Sequence, residues 1–109
     1  MQTSNTAKQV SATILSQLGG GKFIAMTGSK NFVYGTKDNG NDFLQMHLTR
    51  NKMGAKFLTI ELNANDTYTM EFRKINRNLD VVATVKHEEV YCDMLCFLFT
   101  KTTGLFTSL

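Results

Sequence analysis

Apolar residues return along this chain with two different periods, and the switch between them sets the expected architecture. Ala7, Val10, Ile14 and Leu18 recur at helical spacing. Ser4 or Asn5 stands where a side chain would cap the first free amides. Gly19-Gly20-Gly21 then ends the helix, because glycine reaches the left-handed conformation of a C-terminal cap at little cost. From there the period is two. Residues 22–27 and 31–34 read as short strands joined by a Gly28-Ser29-Lys30 turn. Along 43–50, Leu44, Met46 and Leu48 oppose Phe43, Gln45 and His47. Leu58, Ile60 and Leu62 then oppose Phe57, Thr59 and Glu61, and Tyr68, Met70 and Phe72 oppose Thr69, Glu71 and Arg73. Val81, Ala83 and Val85 close the series. One apolar and one largely polar face per strand is the pattern of an antiparallel meander.

The connections agree with that order. KDNGND, RNKMGA, NAND and NRN are Asn-, Asp- and Gly-rich stretches of hairpin-turn length. Residues 88–102 read as a closing helix, with Glu88 and Glu89 suited to its first turn, Lys101 to its last and Gly104 to its stop. The expected fold is therefore α+β. It is a single two-layer domain over residues 1–109, an antiparallel meander of about five or six strands with an N-terminal and a C-terminal helix packed on one face.

Composition narrows the class. With 109 residues, 42% of them apolar, the chain supports one buried core and is not a disordered segment. No apolar run approaches the roughly 18–20 residues that cross a bilayer. The first residues, MQTSNTAKQ, carry neither the charged nor the apolar region of a signal peptide. A cytoplasmic protein without a membrane partner is expected. Cys92 and Cys96 lie four apart with no further cysteine for a structural zinc site, and read as reduced, half-buried thiols.

Candidate chemistry begins with LGGGK. A phosphate-binding P-loop runs from strand through glycines and lysine into a helix. Here the expected order is reversed, with a helix C-terminus meeting the glycines and Lys22 entering a strand. The two histidines, His47 and His87, fall on different elements, and no acid–base pair, nucleophile or ligand set is legible. No metal, cofactor or catalytic residue is expected, and the protein reads as non-enzymatic.

Folding the hairpins together gathers charge. Arg50, Lys52 and Lys56 fall at one end of the meander, and Arg73, Lys74 and Arg77 return to that same end. The opposite end receives Asp38, Asp42 and Asp66 with Asn39, Asn41, Asn63 and Asn65. A net charge of only +3 thus hides a polarised molecule. Clustered Lys and Arg are the footprint of phosphate-backbone contact, and Phe57 and Phe43 on the open face are placed to stack on bases. A solvated rim, with those phenylalanines under a loop or helix, is the other reading of the same pattern. VYCDMLCFLF offers a competing surface. Tyr91, Met94, Leu95 and Leu98 form one stripe and Cys92, Cys96 and Phe99 another, more apolar surface than an outer helix needs. Either the first helix and the tail residues Leu105, Phe106 and Leu109 cover it, or Tyr91, Met94, Leu95, Leu98 and Phe99 form an interface for a partner protein or a homodimer.

The segments QLGGGKFIAMTGSKNFV, NDTYTMEF and EEVYCDMLCFLFTKTTGL together resemble a set of small uncharacterised proteins of bacteriophages and mobile elements. Their pattern is helix, Leu-Gly-Gly, Lys/Arg-Phe, Met-Thr-Gly, Lys-Asn-Phe, a sheet, and an ending like Phe-Thr-x-x-Thr-Gly-Leu. The resemblance covers most of the chain. It implies a phage or mobile-element origin, hence the cytoplasm of a bacterial host, and transfers no catalytic residue. The cysteines and the third glycine depart from the pattern. Two functions follow as expectations: a nucleic-acid-binding accessory protein acting through Arg50, Lys52, Lys56, Phe57, Arg73, Lys74 and Arg77, or a protein-binding factor such as a counter-defence inhibitor acting through the C-terminal helix.

Overall fold

A computed structural model describes residues 3–105, with side-chain surroundings from Ala7 onward. Helix α1 spans Thr3–Leu18 and α2 spans Gly20–Thr27. Five strands follow, β1 (Lys30–Thr36), β2 (Asp42–His47), β3 (Phe57–Leu62), β4 (Tyr68–Ile75) and β5 (Val81–Val90). A 3-10 turn at Cys92–Met94 leads into α3 (Leu95–Thr103). The strands pair in sequence order, β1-β2-β3-β4-β5, and every pairing is antiparallel. This is the α+β meander that the alternation predicts. Ser4 and Asn5 already lie within α1, and the capping expected of their side chains, like the covering expected of Phe106 and Leu109, falls outside the described residues.

The core lies between the sheet and the helices. Leu44 and Met46 of β2, Leu58 and Ile60 of β3, and Tyr68, Met70 and Phe72 of β4 pack on Ile14, Leu18, Phe23, Leu95 and Phe99. Phe23 meets Phe99 edge to face at 5.1 Å between ring centroids. Each fully buried side chain of this kind contributes about 1.5–3 kcal/mol through the water it sheds.

Two elements differ from the sequence expectation. Residues 22–27 are helical, because Gly19 and Gly20, at φ 126° and 59°, break α1 and the chain re-enters a helix at once. Phe23 and Thr27, four apart, are the buried pair, and Thr27 Oγ1 donates to Phe23 O at 2.8 Å. Gly28 at φ 69° then caps α2 by donating its amide to Ile24 O. An ideal Cβ on Gly28 would stand 2.6 Å from Thr49 Cγ2, so both space and backbone require glycine there.

The second difference is at Glu88 and Glu89, which extend β5 instead of opening the last helix. The ladder slips between Tyr68 and Met70, Glu89 adopts φ 53°, and Val90 returns to the core opposite Tyr68. The local helix-start signal loses to this burial of Val90. Val81 and Ala83, expected to finish the buried face, are exposed. No described helix is long and apolar enough to cross a membrane.

Candidate functional site

Antiparallel pairing brings the β2–β3 loop, residues 48–56, and the β4–β5 turn, residues 76–80, to one end of the sheet. Arg50, Lys52, Lys56, Lys74 and Arg77 all lie there with exposed side chains. Lys30 joins them at the start of β1, opposite His47. Among the described residues the ion pairs are Lys37–Glu61 and Lys86–Glu88, so none of these rim cations is paired.

The backbone under the charges is firmly tied. Asn51 donates from Nδ2 to Thr49 O and Ala55 O at 2.8 and 2.7 Å, and its Oδ1 accepts from Ala55 N at 3.0 Å. Lys52 N donates to Thr103 O of α3, Lys56 N to Arg73 O of β4, and Thr49 Oγ1 to Thr27 O of α2. The loop is thus fastened to each of its neighbours while its long side chains face solvent. On the far side, Asn76 Oδ1 accepts from Asn78 N and Asp80 N, which fixes the turn that carries Arg77.

Arg73 and Phe57 are not rim residues. Both are half-buried on the sheet face away from the helices. The Arg73 guanidinium stands 5.7 Å from the Phe57 ring centroid, and its Nη2 donates to Gln45 Oε1 at 3.0 Å and Thr59 Oγ1 at 3.1 Å. His47 meets the same ring edge-on at 4.4 Å. Phe57 is therefore covered by its neighbours rather than free as a stacking ring. Phe43 is half-buried against the neighbouring strand, its Cζ only 3.2 Å from where a Cβ on Gly35 would sit.

The opposite end is a closed polar network around Glu61. Lys37 Nζ lies 2.9 Å from Glu61 Oε1, while Asn39 and Asn41 donate to Oε2 at 3.0 and 2.7 Å. Burial pushes the Glu61 carboxyl up, but these hydrogen bonds and the Lys37 charge outweigh it and hold it below its ordinary value. A shallow cleft of about 480 Å³ beside it is lined by amides and by Lys86, Glu88 and Glu89.

The C-terminal surface is corrected in phase. Leu95 and Phe99 are fully buried core residues, which takes them out of any partner surface, while Leu98 is half-buried. Tyr91, Met94 and Phe97 are exposed instead, at 60%, 39% and 62%. Cys92 and Cys96 are free thiols, the first exposed, the second donating from Sγ to Leu18 O at 3.3 Å. His87 lies in β5 with Nε2 3.0 Å from Thr102 Oγ1 of α3, and no group of three His, Cys, Asp or Glu among the described residues could hold a metal ion. Gly20 and Gly21 do open a helix, contrary to the polarity expected for LGGGK. The segment still lacks the preceding strand of a P-loop, since α1 ends at Leu18.

Sequence reasoning missed Asn51, whose three hydrogen bonds shape the basic loop, and Phe97, which an evenly apolar helix leaves without a readable phase. The alternation of β4 already placed Arg73 with Thr69 and Glu71 on the open face. Comparisons with protein-family models, curated proteins and solved structures found no match, so the functional reading rests on this geometry.

Proposed function

We propose that the protein is a non-enzymatic nucleic-acid-binding factor whose phosphate contacts come from Arg50, Lys52, Lys56, Lys74 and Arg77. One observation carries this reading: the rim cations are exposed and, among the described residues, free of ion pairs. Cations without internal acids keep their full charge for a polyanion, and a tied backbone lowers the ordering cost of engaging one. Arg73 and Phe57 act from the open face rather than as rim contacts. The resemblance to small phage and mobile-element proteins supports an accessory role in such an element, inside a bacterial cell.

Gel-shift titration with labelled single- and double-stranded DNA at about 50 mM salt tests the reading. A shifted band that fades as salt rises is the expected outcome. Absence of any shift at that salt overturns it.

A second reading has its own observation. Tyr91, Met94 and Phe97 expose large apolar side chains around the start of α3, which suits contact with a host or phage protein or with a second copy of the chain. A monomer by light scattering, together with no partner recovered from host lysate, would count against it.

A further inference from the structure

The sheet face away from the helices carries one connected cluster at its basic end. Arg73 lies at its centre, bonded through Nη2 to the neutral side chains of Gln45 and Thr59 and seated over Phe57. His47 buttresses Phe57 from the side. Asn31, in the left-handed region at φ 56°, marks a bulge in β1 and holds its Nδ2 3.2 Å from His47 Nδ1.

Three features of this cluster point the same way. Arg73 makes no ion pair with an acid among the described residues, although Glu71 shares its sheet face. Its guanidinium rests on an aromatic ring, which gives a planar cationic surface backed by apolar support. Gln45 bonds it directly, and His47 against Phe57, with Asn31 beyond it, adds hydrogen-bonding groups of the kind that read base edges. Lys30, paired in register with His47, and Lys56, whose amide donates to Arg73 O, join the cluster to the basic rim.

We infer that this face is the base-stacking platform of a single-strand site. An unpaired base lies on the outer face of the Arg73 guanidinium, with Phe57 beneath, and its flanking phosphates meet Lys30 and Lys56. A duplex hides its base faces in the stack and reaches only the rim. The inference rests on the nucleic-acid reading of the rim and adds the class of strand.

Fluorescence anisotropy with labelled oligothymidylate of about twelve nucleotides, and with the same strand annealed to its complement, tests it. The single strand should bind roughly tenfold more tightly than the duplex, the value of one stacked base. Arg73→Lys, which keeps the charge and removes the plane, should lose most of that advantage and leave duplex binding unchanged. Amide and ring NMR signals of His47, Phe57 and Arg73 in the unaltered protein should shift on adding the single strand, which does not depend on how a variant folds. Equal binding of both probes, or shifts confined to the rim, overturns the inference and leaves the rim reading standing. Binding of neither probe removes both.

Discussion

The two ends of the sheet are built on one backbone device and use it differently. The turns at 37–41, 63–67 and 76–80 share a hydrogen-bond pattern, in which the first amide donates to the fifth carbonyl and the fourth amide to the first carbonyl. The fourth residue takes positive φ each time: Gly40, Asp66 and Leu79. At the end holding the first two turns, side chains consume one another. Glu61 absorbs Lys37, Asn39 and Asn41, while Asn63 and Asn65 bond Thr67 and Thr69. At the other end Asn51 and Asn76 satisfy the backbone, and the cations are left to solvent. Saturated polar groups stabilise a fold, and unsaturated charges on a fixed frame are available to a ligand.

That contrast can be broken from either side. The largest effect is expected for Lys52→Glu combined with Arg77→Glu. Nucleic-acid affinity at low salt should fall by roughly a hundredfold, while thermal stability stays within about 0.5 kcal/mol. Asn51→Ala attacks the frame instead of the charge, and should cost about 2 kcal/mol in chemical denaturation through lost loop hydrogen bonds. Glu61→Ala should cost about 1–2 kcal/mol, since it strands three donors, and should leave nucleic-acid affinity unaltered.

The same carboxylate gives a pH test. Its folded value lies below its unfolded one, so its contribution is complete above the ordinary carboxylate range and is lost as pH falls through the lower, folded value. Glu61→Gln should flatten that acid limb of the stability profile. The smallest effect sharpens the turn comparison. Leu79 is 80% exposed and occupies the position that Gly40 and Asp66 fill elsewhere, so Leu79→Asn should raise stability by about 0.5–1 kcal/mol, seen as a few degrees in Tm.

The parts of this fold legible from sequence were those where burial is one-sided. Leu44 and Met46, Leu58 and Ile60, and Tyr68, Met70 and Phe72 alternate because one face meets the helices and the other does not. The gathering of Arg50, Lys52, Lys56, Lys74 and Arg77 followed from hairpin connectivity alone. What escaped were places where a single backbone conformation decides. The positive φ of Gly19 and Gly20 turns the chain, so α2 survives beside a glycine triplet. A bulge at Glu89 carries β5 through two acids that favour a helix start. The helix phase that buries Leu95 and Phe99 and exposes Phe97 is set by packing on Phe23 and Phe72, contacts that a uniformly apolar segment does not encode.

The central claim is that free rim cations meet phosphates, and the salt dependence of single-strand binding addresses it most directly. Each phosphate contact should contribute about −0.7 to the slope of log affinity against log salt. A slope of about −2 or steeper, made shallower by roughly 0.7 for each of Lys52→Glu and Arg77→Glu, is the predicted result. A slope near zero, or one that neither substitution changes, would contradict the account.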